Sequence, residues 1–118
     1  MDFGMKQGDV GTPISAVLKD AQNKPVDLTG ATVKFLMAKT TGTDIYSDGV
    51  VQWDIIVDSP AEVFYPEGGI VQYIFKADDV AEFGQFVGEF QVTHASGHIE
   101  TFPNSNTQIK ISIHPDIR

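Results

Sequence analysis

The chain has 118 residues, 42% hydrophobic and 20% charged, a length and mix that fit one globular domain with its own core and exclude wholesale disorder. Eight Lys and Arg stand against sixteen Asp and Glu, and the resulting formal charge of −8 repels phosphate backbones and sets nucleic acid aside as a partner. No cysteine is present for disulfide or thiol chemistry, no apolar run approaches membrane-spanning length, and the opening MDFGMKQGDVG lacks the basic start and apolar centre of a signal peptide, so synthesis in the cytoplasm is expected.

In chain order, residues 1–12 carry three glycines and little periodicity. They read as an N-terminal arm, ordered by a neighbour, whose Phe3 and Met5 are candidate contact residues. Residues 13–118 read as a single β-sandwich domain. Its first strand spans 13–19, with Ile14, Ala16 and Leu18 alternating against Ser15, Val17 and Lys19. A polar turn from Asp20 to Pro25 follows, then a short strand through Val26 and Leu28, a break at Thr29-Gly30, and a strand over 31–38 with Val33, Phe35 and Met37 inward.

Residues 39–49 are polar and glycine-bearing and read as a loop. Residues 50–58 are strand-like, with Val51, Trp53, Ile55 and Val57 in step and Val50 and Ile56 making the other face apolar too. Residues 59–68, holding Pro60, Pro66 and Gly68, read as a connection. The next strand covers 69–77, and 78–83 has room for one helical turn between sheets.

The clearest local structure is 83–103. Phe86, Gly88, Phe90 and Val92 alternate with Val87, Glu89, Gln91 and Thr93, Ser96-Gly97 supplies a tight turn, and Ile99, Thr101 and Phe102 begin the return of a hairpin. Gly88 should leave room for a large side chain of the opposing sheet, with Trp53 the candidate. A last strand over 108–114 turns Ile109, Ile111 and Ile113 inward. Short strands with no covering helix predict an all-β fold, an antiparallel sandwich of about seven to nine strands. Its core is expected at Leu18, Val33, Phe35, Met37, Trp53, Val71, Tyr73, Phe75, Phe86, Phe90, Val92, Ile109 and Ile111.

Chemistry-bearing patterns are few. His94 and His98 flank the Ser96-Gly97 turn at a spacing a metal could use, but His114 is remote in sequence and two ligands do not make a site, so solvated turn residues are the favoured reading. Asp44, Asp48, Asp58, Asp78 and Asp79 lie in or near loops that could gather oxygen ligands for calcium, yet the Asp-x-Asp-x-Asp-Gly spacing is absent. No nucleophile elbow, phosphate-binding glycine loop or zinc motif occurs. An enzyme is not expected, nor a cofactor. Tyr46 and Tyr65 fall in predicted loops, where an aromatic either packs over the end of the sandwich or anchors a partner.

A resemblance enters with particular blocks. Lys6-Gln7-Gly8-Asp9, Leu18-Lys19-Asp20, Pro25-Val26-Asp27-Leu28-Thr29-Gly30-Ala31, Gly69-Ile70-Val71-Gln72-Tyr73, the 83–92 stretch and Gly97-His98-Ile99-Glu100-Thr101-Phe102-Pro103 together resemble the N-terminal domain of phage baseplate upper proteins and related short phage tail proteins. The chain departs from that pattern at Phe86, where relatives carry a Tyr whose hydroxyl could lock the corner. The resemblance implies an immunoglobulin-like fold and a tail or baseplate structural or adaptor protein that docks to other tail or baseplate proteins without catalysis. A homo-oligomer is possible, with no nucleic acid or membrane partner, and the product is made in the host bacterial cytoplasm and carried in the virion tail. The alternatives are a carbohydrate-binding module reading host-surface glycans through Tyr46 and Tyr65, and a non-structural tail assembly helper.

Overall fold

A computed structural model describes residues 2–39, 46–47, 50–51, 54–103 and 109–115. Among the described residues there are ten strands: β1 (Asp2–Lys6), β2 (Pro13–Val17), β3 (Thr32–Lys39), β4 (Tyr46–Ser47), β5 (Val50–Val51), β6 (Asp54–Tyr65), β7 (Ile70–Ile74), β8 (Gly84–Thr93), β9 (Ile99–Phe102) and β10 (Ile109–His114). One 3₁₀ turn, Ala77–Val80, crosses from β7 to β8 as the short 78–83 segment predicts.

The strands run in the hydrogen-bonded order β1-β10-β8-β3-β6-β7-β2, with β9 also against β8 and β4 and β5 paired apart. The path folds over at β6, whose first part pairs with β3 through Ala61 and whose second part pairs with β7 from Glu62. A broad sheet of β1, β10, β9, β8, β3 and early β6 thus faces a narrow sheet of late β6, β7 and β2. This is the all-β, immunoglobulin-like sandwich expected, with one departure from antiparallel pairing: β1 lies parallel to β10, Phe3 opposite Ile111 and Met5 opposite Ile113.

The arm is therefore part of the sandwich. Met5 is buried, and Phe3 packs against the core with its ring stacked on Phe75 at 5.9 Å. Neither is a free contact residue, because a strand added to an apolar sheet turns alternate side chains inward.

Period-two alternation places the core. Every expected core residue among those described is buried, and Trp53 lies outside the described residues. Phe35 is the hub, its ring 4.8 Å from Tyr73, 5.1 Å from Phe90 and 5.7 Å edge-on from Phe75, so three strands of two sheets meet on one side chain. Ile14, Leu28, Val57, Val80, Phe102 and Ile113 complete the cluster.

Elsewhere the structure differs from the sequence reading. Residues 59–65 are not a connection but the second half of β6, because Pro60 sits opposite Lys34 and the strand runs on to the other sheet. Two irregularities make that crossing possible. Met37 pairs with Val57 but Ala38 with Ile55, leaving Ile56 extra, and Val63 pairs with Val71 but Tyr65 with Ile70, leaving Phe64 extra. Such bulges bend and twist a strand. The first also breaks the Ile55–Val57 step, so Val57 is buried while Ile55 is 58% exposed.

Residues 26–28 form no strand. They are a connection held by Val26 N–H to Leu18 O and Leu28 N–H to Pro66 O, with Leu28 plugged into the core. Gly69 must be glycine there: its φ is +67°, and a Cβ would come within 2.8 Å of Leu18 O and 2.9 Å of Val26 O. The space at Gly88 is filled from its own sheet, by Phe35 on β3 and Ile111 on β10, which would lie 3.1 and 2.8 Å from an added Cβ. Trp53, the candidate for that space, lies outside the described residues.

A hydroxyl holds the corner after β7. Phe86 is buried as a plain core ring, while Tyr73 donates its hydroxyl to Asp79 Oδ2 at 2.5 Å and Lys76 N–H donates to the same atom at 2.9 Å. This pair of bonds holds the corner at the end of β7.

Candidate functional site

The narrow sheet shows its outer side to solvent, and cross-strand register arranges it in rows. Val17 pairs with Ile70, and Ile70 with Tyr65, giving an apolar row; Ser15 pairs with Gln72, and Gln72 with Glu62, giving a polar one. Ser15 Oγ donates to Gln72 Oε1 at 3.4 Å within the polar row. At the end of the apolar row the bulge turns Phe64 outward, 65% exposed, beside Tyr65 at 50%, while Val17 at the row's other end is 47% exposed. The Tyr65 ring is not loose, since it lies over Gly68, where any Cβ would collide with it. Tyr65 thus ends a strand rather than sitting in a loop, and sequence reasoning missed Phe64 because a bulge, not alternation, aims it.

Among the described residues, the same sheet ends in an open edge at β2. Leu18 N–H donates to Gly69 O at 2.8 Å and Phe75 N–H to Thr12 O at 3.1 Å, so even-numbered residues point their backbone groups at β7. Alternation then turns those of Ser15 and Val17 away from it. Lys19 joins them, because its bridge to Pro25 is made by Asp20 N–H to Lys24 O and Val26 N–H to Leu18 O and uses none of its own groups. Under this edge a groove of about 180 Å³ opens between the sheets, lined by Ala16, Leu18, Phe90, Phe102 and Ile109 among others.

The histidines face each other as expected. Their rings stack at 5.7 Å across the turn, with His94 Nε2 2.8 Å and His98 Nε2 3.9 Å from Glu100 Oε1, while His114 stands apart beside Gly4. Among the described residues, no group of three or more His, Cys, Asp or Glu side chains is arranged to hold a metal. The aspartates are dispersed: Asp58 pairs with Lys34 at 3.2 Å and Asp79 with Tyr73, while Asp44 and Asp48 lie outside the described residues. Tyr46 falls in β4, and its side chain is also outside them.

One titrating group is strongly displaced. Burial, reinforced by the bond to Asp79 and opposed by one from Ser59, pushes the Tyr73 phenol up to about 12. Two surface groups move less: hydrogen bonds from the Thr29 hydroxyl and N–H lower Asp27, and the bond to Glu82 raises Lys39. These shifts belong to turns and corners, not to a cleft.

No family model matches the chain, and no curated protein matches it. A solved structure similar to it is CopC from Methylosinus trichosporium OB3b, at 12% identity and a TM-score of 0.49 over 99% of this chain and 87% of that one. The expected phage tail or baseplate function is corrected at this point. No family model and no curated protein ties the chain to a phage particle. The tail or baseplate function is therefore not carried further.

Proposed function

We propose that the chain is a non-catalytic docking module that binds a polypeptide through its narrow sheet. The observation that carries this is the coincidence of an apolar row, Val17–Ile70–Tyr65 with Phe64 beside it, and an open strand edge on the same sheet. Aromatic anchors supply apolar area at small entropic cost, and the edge supplies backbone donors and acceptors that another polypeptide is suited to satisfy.

A benzoylphenylalanine photocrosslinker in place of Phe64 tests it in the cells that naturally make the protein. Light-dependent adducts of defined mass are expected from position 64 and not from Lys34, which lies on the broad sheet. Equal labelling at both positions, or none at 64, would remove the reading.

A further inference from the structure

The β2 edge is nearly uncharged although the chain carries −8: from Pro13 to Lys19 the only charge is Lys19. It is also self-complementary. With a two-fold axis at Val17, an antiparallel second β2 brings Val17 opposite Val17 and Ser15 opposite Lys19. Each of these residues turns both its backbone groups outward, so each facing pair can exchange both N–H···O=C bonds. Pro13, which has no N–H to give, falls beyond the paired stretch, opposite Ala21 of the turn.

The side chains agree with that register on both faces. Outside, the row Tyr65–Ile70–Val17 continues without a break into Val17–Ile70–Tyr65 of the second copy, and Lys19 meets Ser15 rather than a like charge. Inside, Leu18 of the second copy comes beside Ala16, at the mouth of the groove lined by Phe90, Phe102 and Ile109. A foreign strand would need the same short register, the same avoidance of Pro13 and the same apolar row by separate means. A second copy has them by symmetry.

We infer that the partner of the β2 edge is a second copy of this chain, paired β2 to β2 about a two-fold axis at Val17. This rests on the narrow sheet being the docking surface and names its occupant. A seam of one strand pair lies at the small end of specific interfaces, so a dissociation constant of order 10–100 μM is expected.

Sedimentation velocity between about 10 μM and about 1 mM spans that range. The wild-type chain should pass from monomer to dimer. Val17→Lys and Val17→Glu each set like charges face to face on the axis and should weaken association at least about 30-fold. An equimolar mixture of the two should recover a heterodimer, since opposite charges then meet, and circular dichroism of each variant checks that it is folded. A monomeric wild type at the top concentration, a Val17→Lys variant that dimerises as the wild type does, or a mixture that stays monomeric would each overturn the inference. The two readings fail separately. A monomeric wild type whose position 64 still crosslinks to another protein loses the dimer and keeps the docking surface.

Discussion

Packing around Gly88 leaves little slack in the core, and Gly88→Ala measures it. The new methyl would stand 2.8 Å from Ile111 Cδ1 and 3.1 Å from two carbons of the Phe35 ring. Phe35 cannot give way, because Tyr73, Phe90 and Phe75 hold its ring from three sides. Ile111 Cδ1 is the end of a flexible side chain, but Ile111 is itself fully buried. Overpacking of this kind costs about 1–3 kcal/mol, while replacing glycine restricts the unfolded chain and returns about 0.4–1 kcal/mol. The net expectation is a loss of about 1–2 kcal/mol, measured by urea unfolding followed by circular dichroism. Ile111→Val removes the offending carbon and by itself should cost about 0.5–1.5 kcal/mol. Placed together the two changes should relieve each other, with a favourable coupling of about 1 kcal/mol. Unchanged stability in Gly88→Ala, or strictly additive losses in the double variant, would refute the account of this contact.

Deleting residues 1–6 should destabilise the domain by more than about 3 kcal/mol, since it removes buried Met5 and the Phe3 stack and bares Ile111 and Ile113, whereas a free arm would leave the unfolding midpoint unmoved. Tyr73 makes a pH prediction: its folded phenol, at about 12, keeps a proton that the unfolded group releases near its ordinary 10.0. The stabilisation it gives is therefore complete below about pH 10 and is lost as the pH rises from there to about 12. Ultraviolet titration should show the Tyr73 phenol ionising late, and Asp79→Asn should bring it earlier; a Tyr73 phenol that titrates near 10.0 would show that burial and the corner bond do not hold its proton.

The core was legible because burial in a sandwich is written as alternation, one strand at a time. Phe86, Phe90 and Val92 on β8, or Ile109 and Ile111 on β10, need no knowledge of what lies opposite. The misread stretches are those where alternation is interrupted or two strands share one segment. Ile56 and Phe64 are extra residues in bulges, so the phase before and after each cannot be joined by counting. Pro60 suggested a break in β6 because proline usually ends a ladder, yet here the strand continues past it to the second sheet. The arm was misjudged for a related reason: Phe3 and Met5 alternate over too few residues, between glycines, to reveal that β10 was waiting for a parallel neighbour.

The candidate surface was still less legible, because it exists only across strands. Val17, Ile70 and Tyr65 are single outward apolar residues on three strands, and only the paired registers of β2, β7 and β6 set them side by side. The blocks that carried the family resemblance are explained at the opposite scale. In Val26-Asp27-Leu28-Thr29-Gly30-Ala31, Asp27 Oδ1 accepts from both the N–H and the hydroxyl of Thr29, Leu28 plugs the core, and Gly30 takes a φ of +76°. Each residue answers a need of one turn over one end of a sandwich, and any sandwich with that turn meets the same need. The blocks therefore report how the chain changes direction between strands, while the proposed docking surface lies on the outer side of the narrow sheet, where those blocks contribute Lys19, Ile70 and Gln72.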